Sequence, residues 1–255
     1  MQLNEVKALI TGGVSGLGLA VARKVVAGGG QAVLLDINDE AGAAAEAELG
    51  GAVTYVRTDV TNEEGVTDAV KLAVDHMGMV NAAINCAGII GAGRVLGREA
   101  PMALEFFSKV IQVNLVGSFN VIKAAGAAME SNPPGEDGER GVIISTASVA
   151  ATDGQIGQAA YSASKAGIVG MTLPVAREYA RIGVRVNAVA PGIFWTPMVD
   201  GMPEHIQESL SASIPFPSRL GKPEEYAELV AHIMENGYLN GETIRLDGAV
   251  RLAPK

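Results

Sequence analysis

A single cysteine, Cys86, stands in 255 residues, which excludes a disulfide within the chain and fits a reducing compartment. Histidine is scarce too, with three. His76, His205 and His232 lie far apart and form no ligand set, so no metal is expected. Basic residues number 19 against 28 acidic, a net charge of −9, which argues against a general nucleic-acid-binding surface. No apolar run reaches the roughly 18 residues of a membrane-spanning helix, so no membrane partner is expected. The opening "MQLNEVKALITGG" enters a strand at once and leaves no room for a signal or transit peptide, so the expected setting is soluble and cytoplasmic. Aromatics make up only 4%, whereas hydrophobic residues make up 48% and glycines number 32. That mix argues against disorder and suits a large core of Ala, Val, Ile and Leu with many tight turns.

Short apolar runs at 6–11, 31–37, 52–60, 79–88, 141–148, 184–192 and 242–248 read as strands. They are nearly continuous in apolar character and end in Gly, Asp, Ser or Thr, as strands buried on both faces do. The runs between them read as helices. The segment from Thr61 to Gly78 opens with Thr61 and Glu64 in capping-box spacing, and 101–131 is apolar enough to cross the sheet as one long helix. "SNPPGEDGER" (131–140) reads as a polar turn rather than a domain boundary. The expected fold is α/β: one doubly wound domain over 1–255, its parallel sheet covered by helices on both faces.

The first strand runs into "TGGVSGLG", with Gly12, Gly16 and Gly18 leading straight into a helix. Glycines there let the backbone turn tightly and approach a pyrophosphate, while the helix start offers free N–H groups and the positive end of its dipole. By itself such a turn is equally a plain β–α connection. Asp36, closing the second strand about 20 residues on, adds the acid that would meet a ribose diol. It would also repel a 2′-phosphate, and Ser15 and Ile37 hold the places where a basic residue would offset that repulsion. NAD is therefore favoured over NADP.

In "AAYSASKAG" (159–167), Tyr161 precedes Lys165 by one helical turn among small side chains that leave room for flat rings. A free phenol has a pKa near 10, and a neighbouring ammonium favours the phenolate. A Tyr–Lys pair alone is a common accident. Ser148, however, emerges at the carboxyl end of the strand at 141–148, where parallel sheets bind ligands, although a strand-ending serine also suits a turn. Asn114 interrupts an apolar helical run. It reads equally as a buried side chain satisfied by backbone and as a polar station in a water-linked proton path.

In this order, "TGGVSGLG", "NCAG" (85–88), Asn114, Ser148, "YSASK" (161–165) and "APG" (190–192) resemble the short-chain dehydrogenase/reductase family across essentially the whole chain. The resemblance implies a Rossmann-type sheet of about seven parallel strands, a nicotinamide cofactor and a Ser148–Tyr161–Lys165 centre assisted by Asn114. It implies that Gly12, Ser15, Gly16, Leu17 and Gly18 line the pyrophosphate, that Asp36 meets the adenosine ribose, and that Asp59 and Val60 edge the adenine. Cys86, Ala87 and Gly88 would pass beneath the cofactor, with Cys86 a packed contact rather than a nucleophile. Lys165 would also hold the nicotinamide ribose beside Tyr161, and Pro191, Gly192, Phe194 and Thr196 would hold the nicotinamide end. Gln158 and Trp195 would join Ser148 and Tyr161 at the substrate. Residues 194–220, apolar and rich in Met and Pro, read as a mobile substrate lid or equally as plain surface helix and loop.

Within the family, residues 141–178, 214–230 and 240–249 are most like members that oxidise the 3-hydroxyl of acyl-CoA thioesters. The implied activity is NAD-dependent oxidation of a secondary alcohol, with an acyl-CoA thioester as the small-molecule partner and a homotetramer as the assembly. Arg94 and Arg98 could meet the CoA phosphates, but as two lone arginines they read first as ordinary surface. A steroid or general secondary-alcohol dehydrogenase and a 3-ketoacyl reductase remain alternatives, as does a non-catalytic cofactor-binding subunit of a complex.

Overall fold

Seven parallel strands form one sheet in the order β3-β2-β1-β4-β5-β6-β7. The strands are β1 (Lys7–Thr11), β2 (Gln31–Asp36), β3 (Val53–Arg57), β4 (Ala82–Asn85), β5 (Gly141–Thr146), β6 (Val184–Pro191) and β7 (Thr243–Leu246). The structure is a computed structural model and describes residues 1–196, 199 and 204–254. Each expected strand run is present. Several are trimmed at their ends, most of all 79–88, whose last residues leave the sheet to form a loop. Alternation along the strands sends side chains to two cores. Ala8 and Ile10 face the layer of α1 (Gly16–Ala27), α2 (Asp39–Leu49) and α8 (Pro223–Glu235), with Val21, Val25, Ala45, Tyr226 and Val230. Leu9 and Ile143 face the layer of α3 (Glu63–Met77), α5 (Gly117–Met129) and α6 (Ala159–Tyr179), with Val66, Val70 and Val121. Every residue of β5 and β6 is buried. Each fully buried Val, Leu or Ile contributes about 1.5–3 kcal/mol by leaving water, and the buried polar side chains of β6 are paired, Arg185 with Glu139 and with Ile233 O and Asn187 with Leu239 O.

The helix starts differ from expectation at one point. The N-cap of α3 is Asn62, whose Oδ1 accepts from Gly65 N at 3.0 Å. Thr61 instead donates its hydroxyl to Asp59 Oδ1 at 2.8 Å. Asn has the shorter, flatter acceptor and is at least as good a cap as Thr, so the boundary falls one residue later. The C-terminal stop is at Gly78 as read, with φ of 81°.

The long helix expected at 101–131 spans Leu104–Met129, but not uniformly. Between α4 (Leu104–Ile111) and α5, residues Gln112–Val116 form a π-helical turn with Asn114 inside it. Such widened turns recur at functional sites. Within Leu104–Met129 an 18-residue window reaches a mean hydropathy of 1.2, enough for a minimal membrane span, yet half of that window is buried inside the protein. Of the segment 194–220, the described part includes α7 (Glu204–Ala212). Residues 197, 198 and 200–203 of that expected lid lie outside the described residues.

Candidate active site

The strand order reverses between β1 and β4, and a cleft of about 1290 Å³ opens at the carboxyl ends of the strands there. This is where open parallel sheets bind ligands. The volume exceeds the ~300–1,000 Å³ of sites for single drug-sized molecules, as a dinucleotide and a second molecule together would require.

At one end the backbone is tailored to a close approach. Gly12 has φ of 61°, and a Cβ there would stand 2.8 Å from Ala87 N. A Cβ on Gly18 would stand 2.2 Å from Gly12 O. Ser15, the N-cap of α1, makes no side-chain capping bond and lines the cleft with Gly12, Gly16, Leu17 and Gly18 at the start of the helix. That glycine cradle at a helix start is the chemistry a pyrophosphate needs. Gly18→Ala is expected to weaken dinucleotide binding and to lower the melting temperature by about 3–10 °C, from the ~1–3 kcal/mol of overpacking. Calorimetric titration and a thermal melt would measure the two effects.

Asp36 closes β2 and lines the cleft. Its Oδ1 accepts from Ile37 N at 2.8 Å and Asn38 N at 3.1 Å, which fixes the carboxylate at the cleft wall. Opposite it in register sits Arg57 of β3, a cation that inspection of chain neighbours misses. Its Nη1 is held by Asp39 Oδ2 and Ile37 O, both at 2.7 Å, and it does not line the cleft. Asp59 and Val60 line the same end. Asp59 is engaged by Thr61, and Val60 O accepts from the buried Asn120 Nδ2 at 3.0 Å.

Cys86, Ala87 and Gly88 form the floor. Ala87 N donates to Thr11 Oγ1 at 3.2 Å, tying the floor to β1. The Cys86 thiol accepts from Thr146 Oγ1 at 3.4 Å and lies 3.8 Å from Tyr226 Oη, and burial pushes its pKa up. A thiol held neutral is a poor nucleophile. Thr146 and Tyr226, whose hydroxyls are 2.7 Å apart, complete a polar cluster under the floor that sequence reasoning missed. Thr146 shares the strand-end run with Ser148, which is a usable signal; buried Tyr226 on α8 gives none.

At the far end, Ser148, Gln158, Tyr161 and Lys165 line the cleft together. The Ser148 Oγ accepts from Ala150 N at 3.1 Å, which leaves its proton for the Tyr161 phenol alongside. Burial raises the phenol above the ordinary tyrosine range, and the Ser148 hydrogen bond pulls it back down. Lys165 is buried, with Nζ 5.8 Å from the Tyr161 ring centroid and donating to Thr146 O at 2.7 Å. Burial lowers its pKa to about 8. The expectation that the cation sets the phenol's acidity is thus modified. In the protein alone, loss of water outweighs the lysine, and Ser148 is the group that pulls the phenol down.

Asn114 is fully buried and does not line the cleft. Its Oδ1 accepts from Ile89 N at 2.8 Å, and its Nδ2 donates to Ile89 O and Ser164 Oγ, both at 3.0 Å. The side chain therefore braces the floor loop against α6, the buried and satisfied of its two readings. Gly88 is pinned between them, since a Cβ there would meet Asn114 Oδ1 at 3.1 Å and Lys165 Nζ at 3.6 Å.

Pro191, Gly192, Phe194 and Thr196 line the cleft, and Phe194 packs edge-on to Tyr226 at 6.4 Å. Trp195, expected at the substrate, does not line it and is 41% exposed. Phe194 pairs in a parallel bridge with Gly221, and Trp195 N donates to Gly221 O at 2.7 Å. In that extended segment neighbours point oppositely, so an inward Phe194 sends Trp195 outward. Arg94 and Arg98 are exposed and outside the cleft lining. Val199, Leu210 and Leu252, which no motif marks, are in it.

A glycine cradle at the switch point and a Ser–Tyr–Lys set beside it define an oxidoreductase that uses a nicotinamide cofactor. The chain belongs to the short-chain dehydrogenase family, whose model matches residues 6–207. It is 53% identical over 249 residues to the 3-hydroxyacyl-CoA dehydrogenase type-2 of Homo sapiens, covering 97% of this chain and 95% of that one. The protein of the same name from Drosophila melanogaster is 50% identical, covering 96% of this chain and 97% of that one. The crystal structure of 3-hydroxyacyl-CoA dehydrogenase type-2 from Mycobacterium avium superposes with a TM-score of 0.94 at 41% identity, covering 97% of this chain and 96% of that one.

Proposed function

We propose that the protein oxidises the 3-hydroxyl of an acyl-CoA thioester to a ketone, using NAD. The observation that carries this reading is the end-to-end likeness, at 53% identity, to a relative named for that reaction. The cleft supplies groups for it. Ser148 holds the substrate hydroxyl oxygen beside the Tyr161 phenol, and Tyr161, as phenolate, takes the hydroxyl proton. Lys165, anchored on Thr146 O, stabilises the anionic form of the phenol while it carries its own proton. Asn114 holds the floor loop under the reacting centre. NAD, held by the cradle and Asp36, would supply the hydride acceptor.

Steady-state assays test the reading. Turnover of a short 3-hydroxyacyl-CoA, and of acetoacetyl-CoA in reverse, is expected to exceed that of a 17β-hydroxysteroid; the opposite ranking overturns it. The choice of NAD rests on Asp36. A like charge at contact distance costs up to about 4 kcal/mol at an effective dielectric near 20. Asp36→Ser is therefore expected to raise kcat/KM for NADP by about a hundredfold and to lower it for NAD. Equal use of both cofactors by the parent protein contradicts the assignment.

We also propose assembly as a homotetramer. Leu104 and Phe119, on the long helix, and Phe216 remain 72%, 48% and 83% exposed in the single chain, apolar surface that partner subunits would cover. Light scattering on a sizing column would measure the mass.

A further inference from the structure

One stretch that no motif marks, residues 250–254, contributes a side chain to the cleft. Leu252 lines the cleft together with Val199 and Leu210. The same three side chains belong to one apolar cluster with Ile214, Leu220 and Val250, so the tail and the region around α7 share a small core of their own.

The tail is held by directed bonds as well as by packing. Ile156 N donates to Pro254 O at 3.0 Å, and Gln155 Nε2 donates to Ala253 O at 2.9 Å. Gln155 itself lines the cleft. Arg245 at the end of β7 grips three segments at once. Its Nη2 donates to Val250 O at 3.1 Å and to Asp153 Oδ2 at 2.7 Å, its Nη1 to Thr152 Oγ1 at 2.8 Å, and its Nε to Asp247 Oδ2 at 2.8 Å. Thr152 and Asp153 directly follow the short turn (Val149–Ala151) that Ser148 caps. The tail is therefore fixed in position relative to the catalytic serine.

We propose that Leu252 is a specificity-determining residue, forming with Val199 and Leu210 the apolar surface against which the substrate's acyl chain lies. This rests on the acyl-CoA reading above. An acyl chain is the part of such a substrate that gains from an aliphatic wall, and each methylene buried there is worth about fourfold in kcat/KM. Leu252 sets where that wall stands. Truncating it withdraws contact from short chains and opens room for longer ones, and enlarging it does the reverse.

The experiment compares parent, Leu252→Ala and Leu252→Phe, each with NAD, on a short, a medium and a long 3-hydroxyacyl-CoA. Leu252→Ala is expected to lower kcat/KM for the short substrate about tenfold and to raise the long-to-short ratio by at least that factor. Leu252→Phe is expected to shift the ratio the opposite way. The KM for NAD should be the same in all three proteins. Opposed shifts cannot arise from simple loss of folded protein, which scales every substrate equally. Parallel chain-length profiles in all three proteins overturn the proposal and leave the acyl-CoA reading standing. A parent that turns over no acyl-CoA overturns that reading, and the proposal with it.

Discussion

Tyr161→Phe is expected to lower the rate of alcohol oxidation by about 10²–10⁴, the range for a removed general base, while dinucleotide binding and the melting temperature change little. The variant keeps the ring that packs in the cleft and loses only the oxygen that takes the proton. The pH profile gives a second measure. Burial holds the phenol above the ordinary tyrosine range, so at neutral pH only a small fraction is phenolate, and that fraction grows tenfold per pH unit. Oxidation by the parent should climb with that slope through neutral pH, and ketone reduction, which needs the proton on the phenol, should fall above the same inflection. Because the Ser148 hydrogen bond pulls the phenol down, Ser148→Ala should move the inflection to higher pH. A Tyr161→Phe variant that oxidises alcohol at the parental rate would remove Tyr161 as the base.

Lys165→Met is expected to slow oxidation about a hundredfold or more and, unusually for a site substitution, to stabilise the fold at neutral pH. The lysine's pKa falls from 10.5 to about 8 on burial, so the folded state disfavours the charged form. That destabilisation, about 3 kcal/mol from a shift of this size, is fully present below pH 8. It shrinks between pH 8 and 10.5 and is absent above. The bond from Nζ to Thr146 O offsets part of it, since a lost hydrogen bond costs about 0.5–1.5 kcal/mol. Thermal melts of both proteins across pH 7 to 10.5 should therefore converge as the parent gains stability relative to the variant. A constant difference across that range would show that desolvation of Lys165 is not what separates them.

How far the site can be read from the residues depends on how local each signal is. The cradle of Gly12, Gly16 and Gly18 is legible because its reason is local: a tight turn between a strand and a helix needs glycine whatever surrounds it. The inner strands are legible because burial on both faces leaves a nearly unbroken apolar run, whereas the edge strands β3 and β7 are only partly buried. Ser148, Tyr161 and Lys165 are visible through their spacing and their place at a strand end and in the first turns of a helix. Trp195 misleads because its direction is set by the bridge between Phe194 and Gly221, a pairing with a distant stretch of chain. Asn114 is found, but the π turn that buries it has no signature in the residues themselves. Arg57 beside Asp36, Tyr226 beneath the floor and Leu252 in the cleft come from remote parts of the chain and become neighbours only in the folded structure, Arg57 through the sheet, Tyr226 through helix packing and Leu252 through the tail.

The close meeting of Gly12 with the backbone of Cys86 and Ala87 bears on how the polypeptide matures. The first three strands are contiguous in sequence and can pair early, but the wall facing Gly12 belongs to the segment after β4, on the other side of the crossover. An emerging chain cut off before that segment has the glycine turn without its opposing surface and no complete seat for a dinucleotide. Since a ligand stabilises only the form that binds it, the cofactor would reward completed molecules alone, and partly synthesised ones would gain no protection from it.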